Sequence, residues 1–249
     1  MVLVMVINYR RLFMSTHFTS GVTNVSASGS GGLIKQPSRH KYHEYFDDFN
    51  IYNAGDFTIT TTEDGSGSAA EALIDGDGGL LQITNAAGDN DHDFFQLKKE
   101  GFKYEAGKQI AFYFRFKAND ATQSDVVAGL QLTDTTPLDV TDGIFFLKAD
   151  GAATIDFVVE KDSSQSTLTL PNSLVDDTVM SVGFVYNPKD QKFRVYQDNV
   201  EAGTVVNTNA PDDEELNVSF GIQNGAAAAK VLTVDYIHAL KERSDNSEL

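Results

Sequence analysis

Lys108 to Ala118, KQIAFYFRFKA, constrains the fold more than any other stretch of the chain. Ile110, Phe112, Phe114 and Phe116 alternate with Gln109, Ala111, Tyr113, Arg115 and Lys117, a period of two. Successive side chains on a strand point to opposite faces, so the four large apolar groups share one face. Burying each of them stabilises a fold by about 1.5–3 kcal/mol, which makes this the largest single core contribution in the chain. Tyr113, Arg115 and Lys117 are left on the opposite face, toward solvent or a partner. This is the pattern of a central strand in an antiparallel sheet with one wet face.

Shorter runs of the same kind follow one another from Tyr42 to Arg243. FTITTT (57–62), LLQIT (80–84), FFQL (94–97), VVAGLQLT (126–133) and IFFLKA (144–149) are predicted strands. So are TIDFVVE (154–160), STLTL (166–170), VMSVGFVY (179–186), KFRVYQ (192–197), GTVV (203–206), LNVSFGI (216–222) and VLTVDYIHAL (231–240). Asp64-Gly65, Asp75-Gly76, Asp142-Gly143, Asp150-Gly151 and Asn187-Pro188 punctuate them, and Asp-Gly supplies the positive φ that two-residue hairpins demand. Lys148 to Ala152 is read as the tightest such hairpin. Ala226 to Lys230 (AAAAK) has helical composition but lies between strands beside Gly225, so it is a loop or a single turn. Many short strands without βαβ alternation predict an all-β sandwich of two antiparallel sheets.

The chain's 249 residues suit one large β domain or two small ones. It has no cysteine, which excludes disulfides and thiolate–metal sites and fits assembly in a reducing cytosol. Residues 1–45 carry five basic side chains and one acidic one, while the remainder carries 14 basic and 35 acidic. An acidic body of this kind repels nucleic acid and anionic membrane. MVLVMVI at the start is too short to span a bilayer and lacks a basic lead, so it is read as neither anchor nor signal peptide. Met14 is a second plausible start, which makes residues 1–13 a candidate over-extension. Ser15 to Gln36 is rich in Ser, Gly, Thr and Asn and has no period of its own. The expected division is an extended N-terminal arm over 1–41, a sandwich over 42–243 and a disordered tail over 244–249.

Three constellations bear on chemistry. Asp89, Asp91 and Asp93 have the spacing that opens an oxygen-ligand calcium loop, with Glu100 at the twelfth position. Phe94 stands where such a loop needs glycine, so a helical EF-hand is excluded and only a looser calcium site at a sandwich rim, helped by Asp75 and Asp77, is open. Glu160, Asp162 and Gln165 partly match the Glu-x-Asp-x-x-Glu of retaining glucanases. Gln165 replaces the third carboxylate, and an amide cannot act as the general acid. His17, His40, His43, His92 and His238 lack metal-ligand spacing, and no phosphate loop or nucleophile triad is present.

Four segments carry a family likeness: THFTSGVTNV, KYHEYFDDF, the long run from Phe102 to Gly151, and SFGIQNGAAAAKVLTVDYIHALKER. Together they resemble a family of tailed-phage virion structural proteins, common in marine phages, over about Thr16 to Arg243. The resemblance implies a concanavalin-like jelly-roll sandwich that decorates the outer head surface. It further implies the major capsid protein as partner, a homotrimer, assembly in the bacterial host cytoplasm, and no enzymatic activity. Phe18, Val22, Val25, Leu33 and Ile34 of the arm are the expected capsid-docking anchors, added as a strand to a sheet edge. The alternative is a lectin-like adhesin on head or tail fibre that holds host glycans weakly. The absence of tryptophan counts against it and the nine tyrosines count for it.

Overall fold

A computed structural model describes residues 41–76 and 78–243. Its first eight strands are β1 (Tyr42–Asp47), β2 (Phe57–Thr62), β3 (Ala70–Gly76), β4 (Gly78–Thr84), β5 (His92–Leu97), β6 (Phe102–Lys103), β7 (Ile110–Ala118) and β8 (Ser124–Gln131). The rest are β9 (Gly143–Lys148), β10 (Ile155–Lys161), β11 (Ser164–Thr169), β12 (Met180–Asn187), β13 (Lys192–Gln197), β14 (Val200–Val206), β15 (Glu215–Asn224) and β16 (Val231–Glu242). The first sheet runs β14-β13-β12-β7-β16-β4-β3, with β1 beside the C-terminal half of β16. The second runs β11-β10-β9-β8-β15-β5-β2, with β6 on β15. Every pairing is antiparallel, so the expected jelly-roll-like sandwich of two antiparallel sheets is the observed fold.

The alternation in Lys108 to Ala118 becomes β7, flanked by β12 and β16 in the middle of the first sheet. Ile110, Phe112, Phe114 and Phe116 are all buried in the main core. Phe114 lies 5.0 Å from Phe116 and 6.1 Å from Phe220 of the second sheet, ring centre to ring centre. Phe220 in turn stacks on Phe95 at 5.2 Å, and Phe157 meets Phe184 at 5.3 Å. The gap between the sheets is thus filled by phenylalanines from both, at the separations that favour ring pairs.

Turn chemistry departs from expectation. Lys148 pairs with Ile155, so the connection between β9 and β10 is a six-residue loop rather than a two-residue hairpin. The two-residue turns are Asp162-Ser163, between β10 and β11, and Asp198-Asn199, between β13 and β14. All four residues have positive φ, between 48° and 64°. Aspartate and asparagine tolerate that conformation through local side-chain hydrogen bonds, so Asp198 and Asn199 need no glycine. Asp198 also accepts the Ser181 N–H at 2.9 Å, which ties the turn to β12. Ala226 to Lys230 is a loop.

Phe114→Ala should cost about 3–5 kcal/mol, the range for an aromatic truncated in a packed core. Tyr113→Ala, on the outer face of the same strand, should cost less than half as much. Denaturant titration of the two variants decides this; equal losses would contradict the assigned facing.

Candidate functional site

The outer face of the first sheet carries a line of side chains that the strand registers bring together. Tyr196 is opposite Gly183, Gly183 opposite Tyr113, Tyr113 opposite His238, and His238 opposite Phe46. Directly opposed residues share a face with Cβ atoms about 4.5–5.5 Å apart. Five strands therefore supply one position each to a row about 19 Å long, four steps at the usual strand spacing. Tyr113 and Tyr196 have ring centres 6.5 Å apart, and Phe46 lies 5.6 Å from His238 and 6.4 Å from Tyr236. Gly183 makes the row possible. A Cβ there would come 2.3 Å from Cδ1 of Tyr113, so only glycine leaves room for that ring to lie across β12.

Polar groups stand beside the rings. His238 Nε2 is 3.0 Å from Glu44 Oε1, and Arg115 is ion-paired with Asp235, which a β-bulge between Val234 and Tyr236 sets on this edge of the row. Burial pushes the phenols of Tyr113, Tyr196 and Tyr236 above their ordinary value, so all three keep their hydroxyl proton at neutral pH. The Tyr113 hydroxyl is buried and has no hydrogen-bond partner among the described residues. A groove of about 200 Å³ next to the Arg115–Asp235 pair is walled by Leu80, Lys117 and Val179. Phe46 is 56% exposed. Flat rings with electron-rich faces, flanked by donors and acceptors, suit a ligand that has an apolar C–H face and hydroxyls at its rim.

Part of the second sheet's outer face is covered. Phe94, Val127, Phe145 and Val158 form an apolar patch on which Leu138 and Val140 of the β8–β9 connection sit. That connection is held from below, where Gln96 Nε2 donates to the Leu132 carbonyl at 3.2 Å and Gln131 Nε2 to the Pro137 carbonyl at 2.9 Å. The glucanase-like stretch lies nearby, but it folds back on itself instead of running along one strand. Glu160 faces Gln165 across the β10–β11 hairpin and accepts its amide at 3.0 Å, while Asp162 stands in the turn. Burial raises the Glu160 carboxyl above the usual range.

The calcium-loop aspartates take separate places. Asp89 is exposed on its loop. Asp91 is buried and accepts N–H groups of Asp64 (2.7 Å), Gly65 (3.1 Å) and Gly88 (2.6 Å). Those bonds, the one from Asp64 foremost, hold its carboxyl below the usual range. Asp93 is also buried and accepts the Thr61 hydroxyl at 2.5 Å. Glu100 accepts the Thr133 N–H at 3.0 Å instead of turning toward this loop. Among the described residues no three His, Cys, Asp or Glu side chains are grouped to hold a metal ion. Asp77 and the docking anchors Phe18, Val22, Val25, Leu33 and Ile34 lie outside the described residues.

No protein-family model and no curated protein matches the chain. Solved structures do. Peanut lectin, crystallised with a nine-residue peptide, is similar with a TM-score of 0.56 at 11% identity, over 83% of this chain and 100% of the lectin. The potassium-bound carbohydrate recognition domain of Emp46p gives 0.52 at 12%, over 78% and 93%. The endo-1,3-β-glucanase of Streptomyces sioyaensis gives 0.56 at 14%, over 82% and 98%. Likeness at these identities shows the fold alone, a concanavalin-like, lectin-type β-sandwich. It also corrects the expectation of no enzymatic activity. The same sandwich serves a glucanase as well as lectins, so the exclusion of enzymes drawn from the resemblance does not stand.

The two buried aspartates should act oppositely with pH. Burial, the larger effect, pushes Asp93 up to about 6 from 3.8. A carboxyl raised by folding adds stability as pH falls from about 6 to about 4 and loses it as pH rises again, by about 3 kcal/mol in all. Asp93→Asn should therefore raise the melting temperature at pH 7.5 and flatten the profile between pH 4 and 7. The lowered Asp91 contributes above its unfolded value and loses that contribution as pH falls through its folded one, so Asp91→Asn should destabilise at pH 7.5. Calorimetry across pH 4 to 8 reads both; an unchanged profile for Asp93→Asn would count against its burial.

Proposed function

We propose that this protein is a lectin-like module that holds glycan along the Tyr196–Gly183–Tyr113–His238–Phe46 row. The observation that carries the reading is the row itself. Its outward aromatic positions share a single line across the sheet, one ring is more than half exposed, and the polar partners lie at its flanks. The fold's likeness to peanut lectin and to the Emp46p carbohydrate recognition domain supports the class of ligand. A pyranose can place its C–H face on Tyr196 or Phe46 and its hydroxyls toward Glu44 and the Arg115–Asp235 pair.

A glycan array with the full chain, followed by calorimetric titration of the best ligand, tests this. Phe46→Ala and Tyr196→Ala should each weaken binding at least tenfold while the fold persists. An array without hits, or variants that bind like the wild type, would sink the reading.

The setting we propose is a virion. The family likeness over Thr16 to Arg243 and the opposite charges of arm and body support a module docked on the major capsid protein, as a homotrimer on the head surface. Quantitative mass spectrometry of purified virions should find the chain at a copy number in fixed ratio to the capsid protein; its absence from particles would remove this setting.

A further inference from the structure

A second cavity, of about 370 Å³, opens on the other side of β1. Its floor is apolar, made by Leu97 and the buried ring of Phe102. His43 lies over Phe102 with ring centres 4.9 Å apart. Gly101 keeps that approach open, since a Cβ there would come 3.1 Å from His43 Nε2. Burial, with Arg243 and Lys241 nearby, lowers the His43 pKa, so the ring is neutral at pH 7. Lys98 and Lys99 stand side by side at the wall, both exposed. Neither ammonium has an ion-pair or hydrogen-bond partner among the described residues. Asp56 and Glu44 also line the cavity, but Glu44 is engaged by His238 and Asp56 accepts the Asn53 side-chain amide at 3.2 Å.

Two free cations over an apolar floor are unusual in a chain of net charge −17. They fit a ligand with one anionic group and one apolar face. A path joins row and cavity as well. Phe46 and His43 belong to the same six-residue strand, and among the described residues β1 pairs with β16 alone. A groove of about 410 Å³ along β1 is lined by Phe46, Tyr42 and Arg243 and shares His43 and Glu44 with the cavity.

We propose that the Lys98–Lys99 cavity is an acidic-sugar subsite, which takes the carboxylate of a uronate unit on a glycan that passes from the aromatic row over β1. The extended glycan rests on the reading given above; the cavity's affinity for the acidic unit does not. The carboxylate faces the two ammonium groups, and the sugar's apolar face lies on Leu97 and the His43 ring.

The test is an NMR titration of the full chain with sodium glucuronate, against glucose at the same concentrations. Glucuronate should give saturable shifts at Lys99, Gly101 and the His43 ring, and glucose should give none. Lys98→Ala/Lys99→Ala should weaken the response at least tenfold, as should Lys98→Gln/Lys99→Gln, whereas Lys189→Ala should match the wild type. No saturable shift, an equal response to glucose, or full retention in both double variants would overturn the subsite. The two failures are distinguishable. Glucuronate shifts beside an empty glycan array leave the subsite standing without the lectin reading, while array hits without glucuronate shifts do the reverse.

Discussion

The contact between Phe114 and Phe220 is where the two sheets meet, and most of the molecule can be followed outward from it. Phe114 is fully buried on the central strand of one sheet; Phe220 is fully buried on β15 of the other. Neither sheet can bury its apolar face alone, so each strand's phase is fixed by which residues must reach this layer. A slip of one residue in β7 would place Tyr113 and Arg115 between the sheets and turn the phenylalanines out to water. The cost of that slip, several large side chains at about 1.5–3 kcal/mol each, locks the register. The outer face is what the locked register leaves over.

That face is therefore organised by the core without being needed by it. Tyr113 opposes His238 because Phe112 and Phe114 must oppose Ala239 and Ile237. Gly183 opposes Tyr113 because Val182 and Phe184 must oppose Phe114 and Phe112. Glycine inside a strand weakens it, by loss of packing and by backbone entropy, and usually marks a close approach. Here the approach is by the Tyr113 ring. The Tyr113 ring lies across the backbone that Gly183 leaves bare and recovers part of the packing the glycine gives up.

The sandwich was legible because period-two alternation needs only local sequence. LLQIT, IFFLKA, TIDFVVE and KFRVYQ all sit in the strands expected of them. β3 escaped because AEALIDG has weak apolar alternation, and in the structure most of it is exposed. The hairpins were misplaced for a different reason. Asp-Gly is the stronger composition signal, yet Gly151 serves a six-residue loop while Asp198-Asn199 makes the tight turn with no glycine at all. The candidate site was only half legible. Tyr113 could be put on a wet face from its neighbours alone, but its alignment with Phe46, Gly183, Tyr196 and His238 depends on four separate pairings between distant segments. Nothing local in KYHEYFDDF says that Phe46 will stand opposite His238.

Charge distribution adds the last step. A chain this acidic could spread its carboxylates over every solvent face, and solubility alone would be served equally well. Among the described residues the outward strand positions of the second sheet hold one cation, Lys103, paired with Glu215, while four face outward from the first and share that face with Glu44, Glu201 and Asp235. Arg115 is neutralised by Asp235 and Arg194 by Asp190, whereas Lys117 and Lys192 have no ion-pair partner among the described residues. Exposed ion pairs of this kind add about 0–1 kcal/mol each, so stability does not account for the arrangement. Phe46, 56% exposed, keeps part of its transfer free energy through its contacts with His238 and Tyr236. In the proposed glycan reading, the part-exposed ring of Phe46 and the ammonium groups of Lys117 and Lys192, unpaired among the described residues, are what this face offers a ligand.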